Sequence, residues 1–184
     1  MPIRFPTFSP DELVAMTIAI SFAAGLNVYA TVATLGLLSR AGLLVLPASL
    51  GPLANWWVIA ASVALFVVEL VADKIPVFDL IWNALQTFVR VPAGALLAFA
   101  ATTHLSPGAQ VAATIGGGLI ALIAHGGKTA TRAAVSLSPE PFSNFVLSSA
   151  DDVLAVAVSW VATRHPFAAV SFVLGCFVIA VVLF

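Results

Sequence analysis

Charged side chains are scarce in this chain. Seven basic and eight acidic residues make up 8% of its 184 positions, where soluble domains carry about 25%. So little charge excludes an ordinary water-facing surface, and a net charge of −1 excludes the basic footprint of a nucleic-acid binder. Cysteine is almost missing. Cys176 stands alone in the last apolar run, which excludes an intrachain disulfide and reads as a small apolar filler. No His/Cys/Asp/Glu spacing suits a structural metal, and the glycine-rich runs lack the GxxxxGK[ST] pattern, so no metal, cofactor or P-loop is expected. The opening MPIRFPTFSPDE has one basic residue and three prolines, and no cleavage site follows. It reads as a short interfacial tail over residues 1–12 rather than a signal peptide. Within it, Ser9-Pro10-Asp11-Glu12 has the form of a helix start: an N-cap, a first-turn proline and acids near the positive helix end.

What the chain has in quantity is apolar length. Hydrophobic residues make up 61% of it, and mean hydropathy is +1.12. The expectation is an all-α membrane protein of one membrane domain, since a span needs about 20 apolar residues and such runs recur. Residues 13–38, 56–72, 109–135, 145–162 and 167–184 are candidates. Residues 78–90 are amphipathic, with Phe78, Ile81, Trp82, Leu85, Phe88 and Val89 on one side and Asp79, Asn83, Gln86 and Arg90 on the other. They read either as an interfacial or re-entrant helix or as the first half of a tilted span running to His104. About six transmembrane helices result, with five or seven as the alternatives.

The two halves echo each other in order. Gly25 to Thr31 resembles His125 to Thr131, each ending in Ala-Thr, and Pro52-Leu-Ala-Asn-Trp56 resembles Pro141-Phe-Ser-Asn-Phe145. Asp73 precedes Trp82 by nine residues, as Asp151 precedes Trp160. Arg90-Val-Pro92 resembles Arg164-His-Pro166. Duplication of a three-span unit makes residues 13–105 and 109–184 two inverted repeats, because an odd number of spans turns the second copy over. Inverted repeats of transporters place their site at the repeat interface, lined by interrupted helices. The interruptions are expected at Gly25–Asn27 and Gly126–Gly127. The placement of Arg4, Lys74, Arg90, Lys128 and Arg132 favours a multi-pass inner-membrane protein with both termini cytoplasmic.

The few charges gather in matching places. Asp151 and Asp152 sit side by side in an apolar run, Glu69, Asp73 and Lys74 end another, and Lys128 and Arg132 end a third. An ionised side chain in hydrocarbon costs about 2.5–3.5 kcal/mol even on the mild insertion scale, so each needs a partner, a cavity or a solute. Adjacent residues on a helix point about 100° apart, so one aspartate holds a partner while the other meets solute or water. Lys128 and Arg132 share a helix face, as do Glu69 and Asp73, and the two pairs neutralise each other if opposed. The candidate substrate or ion site is therefore Glu69, Asp73, Asp151 and Asp152 as carriers, with Asn27, Arg90, His125, Lys128, Arg132 and Asn144 shaping it. The bland alternative is a set of structural ion pairs and snorkelling bases.

Several stretches then become familiar. GLNVYAT (25–31), VELVADKIP (68–76), TFVRVPAGALLA (87–98), KTATRA (128–133), LSPEPFSN (137–144) and SSADDV (148–153) resemble a bacterial integral-membrane family, DUF-4126, over nearly the whole chain. The resemblance implies a small polytopic inner-membrane protein and assigns no activity. Three readings compete. The first is a transporter or channel-like permease for an ion or small polar solute, proton-coupled through the carboxylates. The second is a lipid or polyprenyl-phosphate scramblase using Arg90, Lys128 and Arg132, and the third is a non-transporting assembly partner. An enzyme is not expected, since Asp151 and Asp152 are adjacent rather than on facing helices and no Gly-x-Gly-Asp is present. The expected partners are the lipid bilayer and the solute, with no nucleic acid; a homo-oligomer stays open.

Overall fold

The computed structural model describes residues 8–73, 76–136 and 141–183, and all regular structure among them is helical. The helices are α1 (Pro10–Leu26), α2 (Val28–Arg40), α3 (Trp56–Ala72), α4 (Pro76–Ala101), α5 (Pro107–Ser136), α6 (Pro141–Arg164) and α7 (Pro166–Leu183). A 3₁₀ helix at Ala48–Ala54 joins α2 to α3. Five of the seven helices open on a proline. That residue costs nothing at a first helical position, where its missing N–H has no intrahelical partner. α1 carries the expected cap: Glu12 N–H donates to Ser9 Oγ (3.3 Å) and Ser9 N–H donates to Glu12 Oε2 (2.8 Å). Asn55 caps α3 by accepting from the Trp57 N–H (2.9 Å). The expected interfacial tail falls at residues 1–7 outside the described residues, and its Ser9–Glu12 end belongs to α1.

α1 is the axis of the bundle. It is apolar around its whole circumference, the pattern of a helix covered on all sides. It packs against α2, α4, α5, α6 and α7. α4 and α5 approach closely because small residues meet: a Cβ added at Gly117 would fall 2.5 Å from Ala98 Cβ and 2.8 Å from Gly94 O. Gly25 is similarly pressed, its added Cβ falling 2.5 Å from Ala121 O on α5.

The distribution of polarity is inverted relative to a soluble fold. Phe88 is 80% exposed and Trp57 84%, whereas Glu69 and Arg90 are 0% exposed. Three stretches are long and apolar enough to cross a membrane: Ile81–Ala101, Pro107–Ala133 and Phe145–Arg164. The 3₁₀ helix and α3 make a fourth if counted as one span bent by 63°. α7 adds a shorter apolar helix.

One open choice about the elements is decided, for a long helix, and one expectation changes. α4 runs as one helix through Pro92, so residues 78–90 are neither a separate interfacial helix nor re-entrant. Its polar stripe faces inward, with Asn83, Gln86 and Arg90 buried and Ile81, Leu85 and Phe88 exposed. The amphipathic pattern thus marks a helix whose wet side is the protein interior. The helix break at Gly25–Asn27 is present, but α5 passes unbroken through Gly126 and Gly127. The backbone at those two glycines keeps its helical pairing, and nothing lies within 4 Å of a Cβ added to either.

Candidate functional site

The site starts from the break in α1–α2. Asn27 is extended (φ −154°, ψ 103°), ends α1 and caps α2, its Oδ1 accepting from the Ala30 N–H (2.9 Å). A broken helix exposes orphan carbonyls on one side and orphan N–H groups on the other, with the dipole's negative and positive ends respectively. Asn27 itself answers the amide end, and the carbonyl end is answered by side chains from distant helices. Arg90 Nη1 on α4 donates to Gly25 O (3.3 Å), and Lys128 Nζ on α5 donates to Leu26 O (3.0 Å). On the α2 side, Asn27 Nδ2 donates to Asp152 Oδ1 on α6 (2.8 Å). Cations thus meet the carbonyl end, and a carboxylate stands beside the amide end.

From these anchors a buried ionic cluster spreads. Arg90 Nη2 pairs with Glu69 Oε1 at the end of α3. Lys128 Nζ lies 3.3 Å from the same oxygen and 3.4 Å from Asp73 Oδ2. Arg132 Nη2 donates to Asp73 Oδ2 (2.7 Å) and Asp151 Oδ2 (3.4 Å), and Ser148 Oγ donates to Asp73 Oδ2 (3.3 Å). Asp151 also stands 4.0 Å from Lys128 Nζ.

His125 closes the α4 side. Its Nδ1 faces Arg90 Nη1 at 2.8 Å, and a guanidinium only donates, so Nδ1 accepts and the ring is neutral. Nε2–H is then the donor, 3.1 Å from Asn83 O and 2.9 Å from Thr87 Oγ1. Gln86 donates to the Tyr29 hydroxyl (3.1 Å), extending the polar stripe of α4 to α2.

The structure therefore brings together Asn27, Glu69, Asp73, Arg90, His125, Lys128, Arg132, Asp151 and Asp152 from four helices and a helix break. The two adjacent aspartates do part company: Asp151 faces the bases of α5, and Asp152 faces Asn27. Asn144 stands in the first turn of α6, and its side chain lies outside the described residues, as do Lys74 and Glu140. Sequence reasoning missed the carbonyls of Gly25 and Leu26, Ser148, and the Asn83–Thr87 seat of His125. The signal for that seat was present in the i, i+3, i+4, i+7 spacing of Asn83, Gln86, Thr87 and Arg90, read from the wrong side of the helix.

Not every oxygen is satisfied. Glu69 Oε2 and Asp152 Oδ2 are buried and have no hydrogen-bond partner among the described residues. The cluster is also reached from outside. A cleft of ≈460 Å³ lies between α3 and α6, with Phe66 and Leu70 on one wall and Asp152, Val153, Val156 and Trp160 on the other. A second, of ≈590 Å³, lies among α1, α5, α6 and α7, with Lys128 and Asp151 in its lining.

A helical bundle that turns apolar side chains outward and keeps its charges inside has the make-up of a membrane protein with a buried ionic site. The chain belongs to the family defined by the domain of unknown function DUF4126, which matches residues 14–184. The resemblance drawn from its motifs is thus confirmed. No curated protein and no solved structure matches the chain.

Proposed function

We propose that the protein is a small permease that passes an ion or small polar solute through this cluster, with Glu69, Asp73, Asp151 and Asp152 carrying a cation or proton. One observation carries the reading: two separate clefts, one between α3 and α6 and one among α1, α5, α6 and α7, are lined by members of the same buried network, Asp152 in the first and Lys128 and Asp151 in the second. A network that only braced the helices would need no approach from either side. Nor would it be an economical brace, because buried ion pairs are often no more stable than apolar residues of equal volume.

Counting α1 and α2 as one broken span gives three elements before Ser106 and three after it. That order supports six spans in two inverted triplets, residues 13–105 and 109–184, in an inner membrane with both termini cytoplasmic. No catalytic step is assigned to the protein, and its partners in this reading are the bilayer and the solute.

A lipid-translocating role draws on the apolar cleft among α1, α5, α6 and α7, which Lys128 helps to line. It is the weaker reading, since Arg90, Lys128 and Arg132 all face carboxylates already. Reconstitution into liposomes tests the choice. Wild-type protein is expected to dissipate an imposed cation or proton gradient, and Asp152→Asn to lose at least tenfold of that flux. Equal flux in the two proteins, or transfer of a labelled lipid with no ion or solute flux, would overturn the permease.

A further inference from the structure

One oxygen each of Glu69, Asp73 and Asp152 lies within 4.8 Å of the other two, and all three residues are buried. An ion of calcium's radius touches oxygens at about 2.3–2.6 Å, so three oxygens about 4.0–4.5 Å apart can share one ion, a spacing within the bound seen here. Clustering of acids alone would not make a site. Here two of the members, Glu69 at 0% and Asp152 at 5% exposure, each present a carboxylate oxygen with no donor among the described residues. A buried carboxylate oxygen left in this way is costly unless something positive meets it.

The charge of the missing partner can be read from its neighbours. Among the described residues, four carboxylates (Glu69, Asp73, Asp151, Asp152) face three permanent cations (Arg90, Lys128, Arg132) and a neutral His125. Counted over these described residues alone, the acids exceed the bases by one. Lys128 Nζ stands within 3.4 Å of both Glu69 and Asp73, so a divalent ion would press a second full positive charge against that ammonium. Magnesium in addition demands octahedral geometry and keeps several waters.

We propose that Glu69, Asp73 and Asp152 form a binding site for one dehydrated monovalent metal cation of sodium's size. This rests on the permease reading of the same cluster and names the ion it takes. The cleft between α3 and α6, which Asp152 helps to line, is its way in. Asn27 holds Asp152 Oδ1, so the site is tied to the break between α1 and α2. An ion arriving at Asp152 therefore bears on the helix break itself.

The test is equilibrium binding of radioactive sodium to the purified full-length protein in detergent. Expected are about one sodium per chain, displacement by lithium but not by choline, and at least tenfold weaker binding in Asp152→Asn. Asp11→Asn, at the exposed start of α1, should bind like wild type. Because Asp152→Asn could misfold, the wild-type stoichiometry and its displacement pattern stand as a separate measurement. The proposal is overturned if wild type binds no sodium, if magnesium or calcium displaces it better than lithium, or if acidification raises the melting point while no monovalent salt does. Sodium binding without any flux in liposomes would sink the permease and leave this site standing. Flux that depends on Asp152 without sodium binding would do the reverse.

Discussion

Arg90 holds three things at once: the Glu69 carboxylate, the Gly25 carbonyl at the end of α1, and the lone pair of His125 Nδ1. Removing it breaks a fully buried pair and leaves the Glu69 carboxylate to Lys128 alone, against a loss of about 3–5 kcal/mol where a buried charge is left with no partner at all. Arg90→Ala is expected to lower the thermal unfolding midpoint in detergent sharply. The paired change Glu69→Leu with Arg90→Met should restore part of that loss, although it alters more residues, because it removes that carboxylate and refills the volume. It should not restore all of it, since Gly25 O and His125 still lack their donor. A double variant no more stable than Arg90→Ala would mean that the charge is not what Arg90 supports. Asn27 makes a gentler case. Asn27→Ala removes the cap of α2, costing about 0.5–2 kcal/mol, and frees a second oxygen of Asp152. Its flux should fall more than its stability if the break positions the site.

At the scale of elements, the α4–α5 seam depends on which glycines touch the neighbouring helix. Gly116 and Gly117 are adjacent on α5, yet a Cβ at Gly116 meets nothing within 4 Å and one at Gly117 meets Ala98 and the Gly94 carbonyl. Gly117→Ala should therefore destabilise the protein by about 1–3 kcal/mol through overpacking, whereas Gly116→Ala should be neutral or slightly stabilising. Melting curves of the two variants decide it, and equal behaviour would show that the seam is loose. The start of α1 was legible because proline and cap chemistry are local: Ser9 and Pro10 mark it without reference to the rest of the fold. The convergence of the charges was legible too, because ionised residues in apolar runs have few places to go. What was not legible depends on neighbours. Glycines break a helix at Gly25–Asn27, where Arg90 and Lys128 donate to the freed carbonyls and the Asn27 side chain, itself held by Asp152, accepts from the freed Ala30 N–H, and not at Gly126–Gly127, which has no such reception. Likewise, an amphipathic stripe does not say which of its faces is turned to the solvent, and in α4 the polar face turned inward.

At the scale of the whole molecule, the polar ends of the helices suggest where the membrane boundaries lie. Arg40 closes α2 with its guanidinium 4.8 Å above the Trp56 ring, beside the exposed Trp57, an arrangement suited to an interface belt. The ionic cluster lies towards the opposite ends: the last turn of α3, the second half of α5 and the first half of α6. With about 1.5 Å of rise per residue, Asp152 lies about 16 Å along α6 from its start at Pro141, which in the proposed arrangement puts the cluster within the bilayer rather than at its surface. The proposed six spans would put both termini on one side, with the Arg40–Trp56 belt on the other. A reporter active only in the cytoplasm should then be active when fused at either terminus, and a cysteine introduced at Gly42 should react with an impermeant maleimide from outside. Gly42 suits labelling, since it is an exposed turn residue and a Cβ there meets nothing within 4 Å, although its φ of +68° makes a side chain somewhat strained. Opposite reporter readings at the two ends would leave an odd number of spans. The inverted arrangement would then fail at once, because two triplets cannot place the chain's ends on different sides, and the cluster would have to be explained without a repeat interface.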